Sequence, residues 1–296
     1  MRGDALVSVV LLCWNRRAEV AEVLSHLRRL DYAPYEVIVV DNASDDGMAE
    51  MVARDFPEVR LLRMPDNLGI AGYNAGFAAA QGEYLVVLDD DSFPAVDAVG
   101  RMVEAFESDE ALGVVAFDVR NAATHGKPSA SATQASTREP PRYQMSFNGA
   151  GFGIRRELFQ RIGWYPGEFF LYWNEQDTAF RVLAAGYRIE TFPGIVAYHK
   201  FSPRNRASER APFYYTRNAF WMVWKNYPLD LALITSWRLL FRCLFHGFEQ
   251  GTTVYLRALW SAFAQVKALR GKRRPVSREI VRGARVTFEL AFTQYR

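Results

Sequence analysis

The chain has 296 residues, half of them apolar, enough to bury a sizeable core as one large domain or a domain with an appendage. Its two cysteines, Cys13 and Cys243, lie far apart and outside any CxxC or His/Cys cluster, which argues against a disulfide scaffold or structural zinc and suits a reducing compartment. The overall charge of +3 conceals a division: residues 200–296 hold 18 Lys/Arg against 5 Asp/Glu, net +13, and residues 1–199 hold 18 against 28, net −10.

The N-terminal stretch lacks the layout of a signal peptide, because Asp4 interrupts it and no small-residue cleavage site follows a long apolar core. Its apolar run, Val7–Leu12, reads as a strand instead. Arg17–Leu30 carries a helical stripe of Val20, Val23, Leu24 and Leu27. Glu36–Val40 is a second strand, Gly47–Asp55 a helix, Val59–Arg63 a third strand, Ala71–Gln81 a small-residue helix and Tyr84–Leu88 a fourth strand. Continuous apolar strands separated by helices predict a parallel sheet covered on both faces, an α/β fold with a Rossmann-like sheet. Ligands of such sheets bind beyond the carboxyl ends of the strands. Those ends are polar here: Asn15-Arg16, Asp41-Asn42 and Asp89-Asp90-Asp91.

Ser92–Glu107 reads as a helix and Leu112–Phe117 as a further strand. Asn121–Gln144, rich in Ser, Ala, Thr and Pro, reads as a long loop placed to close over a site. Helices follow near Arg156–Ile162 and at Glu175–Ala185, then two short strand runs, Arg188–Phe192 and Ile195–His199. From about Tyr214 the chain turns aromatic, apolar and dotted with Arg. Asp230, Arg238 and Arg242 make the run LDLALITSWRLLFRCLFHGF a poor membrane-spanning segment, and its pattern fits helices lying in a membrane interface. The expected division is an α/β domain over 1–213, whose parts near 1–118 and 145–213 flank the long loop, followed by a helical, basic region over 214–296 that faces an anionic membrane surface. Its basic residues sit among Trp, Phe and Leu, not in a polar stripe, so nucleic acid is not the expected partner.

Three carboxylates at a strand end repel one another unless a cation offsets them. Asp89, Asp90 and Asp91 suit Mg²⁺ or Mn²⁺, which complete their shells with phosphate and water; the plain alternative is a solvated turn, and the spacing excludes an EF-hand. Asp41, at the end of a second strand, is placed to accept hydrogen bonds from a nucleoside. The chain has neither a Gly-x-Gly-x-x-Gly after its first strand nor a P-loop, which weakens NAD and ATP-hydrolysis readings. Asp45-Asp46-Gly47 reads as a helix cap and turn. Asp177 and Arg181 are spaced as an i,i+4 ion pair. Glu175, at the start of the same helix, either faces a cleft or complements the helix dipole, and a lone His199 is more often structural than a ligand.

Taken in order, VSVVLLCWNR, VIVVDNASDDG, NLGIAGYNAG, EYLVVLDDDS, GAGFGIRRELFQRIGWYP and FFLYWNEQDTAFRVLAAGYRI resemble family 2 glycosyltransferases of the GT-A fold over about residues 6–226. Trp173–His199 is similar in particular to galactofuranosyltransferase- and rhamnosyltransferase-like bacterial members. The resemblance implies a DxD-type metal site on Asp89–Asp91 with Mn²⁺ or Mg²⁺, His199 as a further ligand, and Glu175 as catalytic base. It implies donor binding by Asn15, Asp41, Asn67, Asp89 and Asp90, with Tyr172 and Trp173 as residues against which an acceptor sugar stacks. Asn174 replaces the first acid of the family's catalytic pair, and Glu175 stands where Asp is more usual. The implied reaction is inverting transfer from a nucleoside-diphosphate sugar, UDP- or dTDP-linked, to a hydroxyl of a glycan or lipid-linked acceptor on the inner face of the plasma membrane. A catalytically weak nucleotide-sugar- or glycan-binding scaffold is the alternative that Asn174 favours.

Overall fold

The computed structural model describes residues 4–123, 140–200 and 209–293. Four strands, β1 (Val7–Cys13), β2 (Tyr35–Asp41), β3 (Arg60–Arg63) and β4 (Tyr84–Asp89), lie parallel in the order β3-β2-β1-β4. The helices α1 (Arg17–Leu27), α2 (Met48–Asp55) and α3 (Tyr73–Ala79) connect them. Alternation along the strands feeds two cores, since successive side chains point to opposite faces. Val7, Val9, Leu11 and Val39 join α1 and α2 on one face, while Val10, Ile38, Val40 and Val87 join α3 on the other.

Beyond β4 the sheet becomes mixed. β8 (Phe152–Arg155) runs antiparallel between β4 and β6 (Leu112–Asn121), and β9 (Arg188–His199) lies parallel to β6. The expected helix at Ser92 is displaced: Ser92–Pro94 forms a short strand, β5, antiparallel to the end of β9, and α4 begins at Ala98 and runs to Ser108. The two runs expected at 188–192 and 195–199 form one strand. Phe192 pairs with Phe117 and Val196 with Asp118, so Pro193, Gly194 and Ile195 are looped out where proline has no N–H to offer the ladder. Residues 124–139 of the expected loop lie outside the described residues. Its edges are ordered strand: Asn121 ends β6, and Arg142–Gln144 forms β7 along β9.

Helices α5 (Arg156–Ile162) and α6 (Asn174–Ala184) pack on the sheet's second face. The C-terminal helices are α7 (Arg210–Asn226), α8 (Leu229–Glu249), α9 (Val254–Ala264), α10 (Arg278–Ala284) and α11 (Leu290–Thr293). A third core joins them to Phe169 and Phe180. Polar bonds reinforce this joint. Asp177 forms the expected pair with Arg181 at 3.0 Å and also meets Lys225 at 3.1 Å and Asn226 at 2.8 Å, both on α7. No described helix is long and apolar enough to cross a membrane.

Candidate active site

Parallel register brings the polar strand ends to one level. Leu12 pairs with Asp89 and Cys13 with Asp41, so the turns after β1, β2 and β4 open side by side. Those turns are laced together. Asn15, in a left-handed conformation (φ 53°), accepts at Oδ1 from the Asp45 N–H at 2.8 Å and donates its own N–H to Ser44 Oγ at 3.0 Å. Asp46 accepts from the N–H groups of Arg17 and Met48, fastening the starts of α1 and α2. In the Asp45-Asp46-Gly47 turn the N-cap position of α2 is taken by Gly47 at φ 77°, without a side-chain cap bond, and Asp46 before it accepts from the Met48 N–H. Asn67 Oδ1 accepts from Asn42 Nδ2 at 2.9 Å and from the Gly69 N–H.

Pairing of β5 with β9 places His199 opposite Ser92, one residue from Asp91, and the Lys200 N–H donates to Asp91 O at 3.0 Å. His199 Nε2 lies 2.9 Å from Asp91 Oδ1 and 3.9 Å from Asp89 Oδ2. One ligand atom each from Asp89, Asp91 and His199 falls within 4.8 Å of the others, a compact set of two oxygens and a nitrogen that suits a divalent ion. Arg16 closes the cluster from the β1 turn, with Nη1 2.7 Å from Asp91 Oδ2 and 3.2 Å from Asp90 Oδ1.

The three aspartates have diverged electrostatically. Burial alone would raise Asp91, but the hydrogen bond from His199 and the charge of Arg16 reverse this and hold it at about 2. Burial pushes Asp90 up to about 7 against the pull of Arg16, with Asp89 and Asp91 adding like charge. Asp89 is raised by desolvation, offset by His199, although 44 % of its side chain remains exposed at the cleft.

Two cavities meet at Asp89. The first, of about 330 Å³, is lined by Asn15, Arg16, Asn42, Asn67 and Asp90 on the strand-turn side and by Tyr172 and Arg210 opposite. The second, of about 870 Å³, contains Asn148, Gly149, Tyr172, Asn174, Glu175 and Tyr215, and shares Ile70, Asp89, Leu171 and Tyr172 with the first. Asp89 and Glu175 are the only carboxylates among its described lining residues. Glu175 sits in the first turn of α6 and accepts at Oε1 from Asn174 Nδ2 at 2.9 Å. Desolvation, reinforced by the charge of Asp89, pushes it up to about 7 in spite of that bond. It lies over Gly149 so closely that a Cβ there would come within 2.2 Å of Oε1.

The segment feeding α6 is strained. Phe170, Tyr172 and Trp173 have φ of 64°, 65° and 67°, left-handed values that cost free energy for side chains of this size. The conformation is held from outside the segment. Asn218 of α7 donates to Phe169 O at 2.8 Å and to Leu171 O, Arg217 donates to Phe169 O at 2.7 Å, and the Ile70 N–H donates to Phe170 O at 2.7 Å. Tyr172 stacks on Tyr215 with ring centroids 3.9 Å apart and faces both cavities.

The structure thus gathers Asn15, Asn67, Asp89, Asp90, Tyr172 and Glu175 around one double cleft, with Asp91 and His199 clustered on Asp89 behind its wall. Two candidates lie elsewhere. Asp41 is 1 % exposed, accepts from the Ser44 N–H at 2.9 Å, and lines neither cavity; Asn42 takes the wall position beside it. Trp173 turns into the C-terminal helices, donating from Nε1 to Tyr215 O at 2.8 Å and packing on Phe288, and lines neither cavity. Sequence reasoning gave no role to Arg16, Arg210, Gly149 or Tyr215. The place of Arg16, directly after a strand end already read as polar, was a usable signal, whereas Arg210 and Tyr215 reach the cleft only through the docking of α7. Both cysteines are free and buried, and burial pushes the Cys243 thiol up to about 12.

A family model described as "Glycosyl transferase family 2" matches residues 8–173, more than half of the chain. The uncharacterized glycosyltransferase YwdF of Bacillus subtilis (strain 168) is 26% identical over 204 residues, covering 66% of this chain and 74% of that protein. The poly-beta-1,6-N-acetyl-D-glucosamine synthase of Staphylococcus aureus (strain COL) is 28% identical over 117 residues, covering 38% of this chain but 28% of its own length. Among solved structures, the mannosyltransferase PcManGT from Pyrobaculum calidifontis, in complex with GDP-Man and Mn²⁺, superposes with a TM-score of 0.60 at 22% identity, over 95% of this chain and 78% of that one.

Proposed function

We propose, for a chain that belongs to glycosyl transferase family 2, has the GT-A fold and is a glycosyltransferase, that it moves a sugar with inversion from a nucleoside-diphosphate donor to a hydroxyl of a glycan or lipid-linked acceptor. The observation that carries this reading is the position of Asp89 where two cavities join, with a carboxylate cluster on one side and Glu175 alone on the other.

The nucleoside and diphosphate occupy the cavity between the β1, β2 and β4 turns, where Asn15, Asn42 and Asn67 offer amide groups and Arg16 offers positive charge. Asp41 acts from behind this wall, ordering the β2 turn through the Ser44 N–H. Asp89, Asp91 and His199 fit Mn²⁺ or Mg²⁺ by their chemistry and mutual proximity, and such an ion would supply Lewis-acid neutralisation of the leaving diphosphate. Arg16 preorganises Asp90 and Asp91 before donor arrives.

Glu175 takes the proton of the acceptor hydroxyl while that oxygen forms its bond to the sugar's anomeric carbon and the bond from that carbon to the diphosphate oxygen breaks. A group raised to about 7 is well matched to this, because it is basic enough to take the proton and still ionised in large part at neutral pH. With no second carboxylate but Asp89 in the described acceptor cavity, a single displacement from the opposite face is the step the residues support. Tyr172 offers the acceptor sugar an aromatic face, and its stacking on Tyr215 holds that ring in place. An acceptor carried on lipid would account for a basic C-terminal region turned toward an anionic membrane surface, on its inner leaflet.

The test is a thermal-shift panel of UDP-, dTDP- and GDP-linked sugars with and without Mn²⁺, followed by transfer assays with the donor that stabilises. Stabilisation by a donor only when metal is present is the expected result. Equal stabilisation in EDTA, or none from any donor, would overturn the donor and metal assignment.

A further inference from the structure

The outer surface of the C-terminal helices carries a feature that the transfer chemistry does not use. On α8, Leu233, Ile234, Trp237, Phe241, Leu244, Phe245 and Phe248 are all exposed, Phe248 at 93 % and Trp237 at 71 %. At 3.6 residues per turn they fall, with Leu240 and Gly247, on one continuous arc of roughly 160° that holds no polar side chain between residues 231 and 249. On α9, Leu256, Trp260 and Phe263 extend the apolar surface, Trp260 at 74 % exposure. An exposed patch of this size on a domain with a complete core of its own marks a binding surface.

We propose that this face of α8 and α9 seats the protein on an anionic lipid surface, and that the groove between α7, α8 and α9 receives a lipid hydrocarbon chain. The groove measures about 390 Å³ and is walled by Phe220, Trp221, Trp224, Trp237, Leu240 and Phe263 among others, with Ser236 its only hydroxyl. Charge complementarity selects the occupant. Arg238 lies exposed along one edge of the apolar arc, with Arg242 on the same side held 4.9 Å over the Phe292 ring, and Lys267, Arg270 and Arg274 stand exposed just beyond α9, where Lys272 pairs with Glu168 at 2.9 Å. Arg273 fastens this basic run to the groove, its guanidinium 4.7 Å from the centroid of the Trp224 ring and bonded to Tyr227 O at 2.9 Å. The two acids on α8 are both engaged, Asp230 with Arg278 at 2.7 Å and Glu249 with His246 at 2.8 Å. An apolar arc tipped with tryptophans and rimmed by cations matches a helix lying in the headgroup layer. On this surface α8 and α9 lie in the plane of the headgroups; no described helix is long and apolar enough to cross a membrane.

This deepens the membrane part of the proposed function and rests on it for its biological sense. The face itself lies apart from the residues assigned to transfer.

The experiment is co-sedimentation of the full chain with vesicles of phosphatidylcholine alone and of phosphatidylcholine with about 30% phosphatidylglycerol, at about 0.1 M salt. Binding to the anionic vesicles at least about tenfold tighter is expected, with tryptophan emission quenched by lipids brominated on the acyl chain. The double variant W237E/F241E should lose at least about tenfold of that binding, and R238E/R270E, at two exposed arginines, should lose the preference for anionic lipid. Both should keep the wild-type melting temperature and its shift with donor and Mn²⁺, which separates loss of docking from loss of the donor site. Absence of vesicle binding, or binding that W237E/F241E leaves unchanged, would overturn the proposal. So would a dimer in lipid-free buffer that W237E/F241E converts to monomer, because the face would then belong to a second copy of the chain.

Discussion

Replacing Glu175 with Gln separates the two consequences of holding a carboxyl at about 7. Desolvation in the cleft pushes the side chain from the ordinary glutamate value of 4.5 up to about 7. The folded protein therefore binds the proton more tightly than the unfolded chain does. Below about pH 4.5 both states are protonated there and the neutral group costs nothing. As pH rises through 7 the folded state must either keep a proton that solution no longer favours or bury a charge, and stability contributed by the protonated form is lost. At 1.36 kcal/mol per unit the ceiling is roughly 3 kcal/mol. Part of the side chain still reaches the cleft, so about 1–3 kcal/mol is the expected effect at pH 8.5. Gln is nearly isosteric and never ionises. Glu175→Gln should accordingly match the wild type in urea melts near pH 4.5 and be more stable than it by that amount at pH 8.5. In transfer assays the same variant should lose about 10²- to 10⁴-fold in kcat while its donor-induced thermal shift is unchanged. Equal pH dependence of stability in the two proteins would refute the buried-carboxyl argument. Retained turnover would refute the assignment of the base, whatever the melts show.

The remaining predictions address the neighbouring parts. Transfer by the wild type should rise with pH through about 7, as Glu175 ionises, and the rise should vanish from the small residual rate of Glu175→Gln. Asp91→Asn should abolish metal-dependent donor stabilisation. Because Asp91 is held at about 2 by His199 and Arg16, the wild type should also lose stability as pH falls through 4 toward 2, a loss that the Asn variant does not share in acid melts. Gly149→Ala forces Glu175 aside, so kcat should fall at least about tenfold with donor binding intact, read by the same thermal-shift assay. Asp177→Ala removes the carboxylate that Arg181, Lys225 and Asn226 share at the joint of α6 and α7, while Lys225 keeps Glu168 and Arg181 keeps the Ile162 carbonyl, and it should cost about 1.5–3 kcal/mol in chemical denaturation.

Local pattern alone determined the parallel half of this protein. The runs Val7–Leu12, Glu36–Val40 and Tyr84–Leu88 are apolar on both faces, which only a doubly covered strand tolerates, and the carboxylates at their ends therefore had to emerge at one edge. Asp89 and Asp91 were legible for that reason, as was the Asp177–Arg181 pair, which needs nothing but helical spacing, whereas Glu175 was singled out by the family resemblance. Tertiary structure decided what depends on distant chain. Ser92–Pro94 became a strand because β9 supplied backbone partners, and that pairing, not any property of residues 195–199, carried His199 to Asp91. Asp41 withdrew from the cleft because Ser44 folds back onto it, a turn that strand periodicity does not encode. The left-handed backbone at Phe170, Tyr172 and Trp173 is unfavourable for these residues by themselves. It exists because Asn218 and Arg217, more than forty residues later, bond the carbonyls it exposes, and so the orientation of Tyr172 and the approach to Glu175 are set by a helix outside the matched family region.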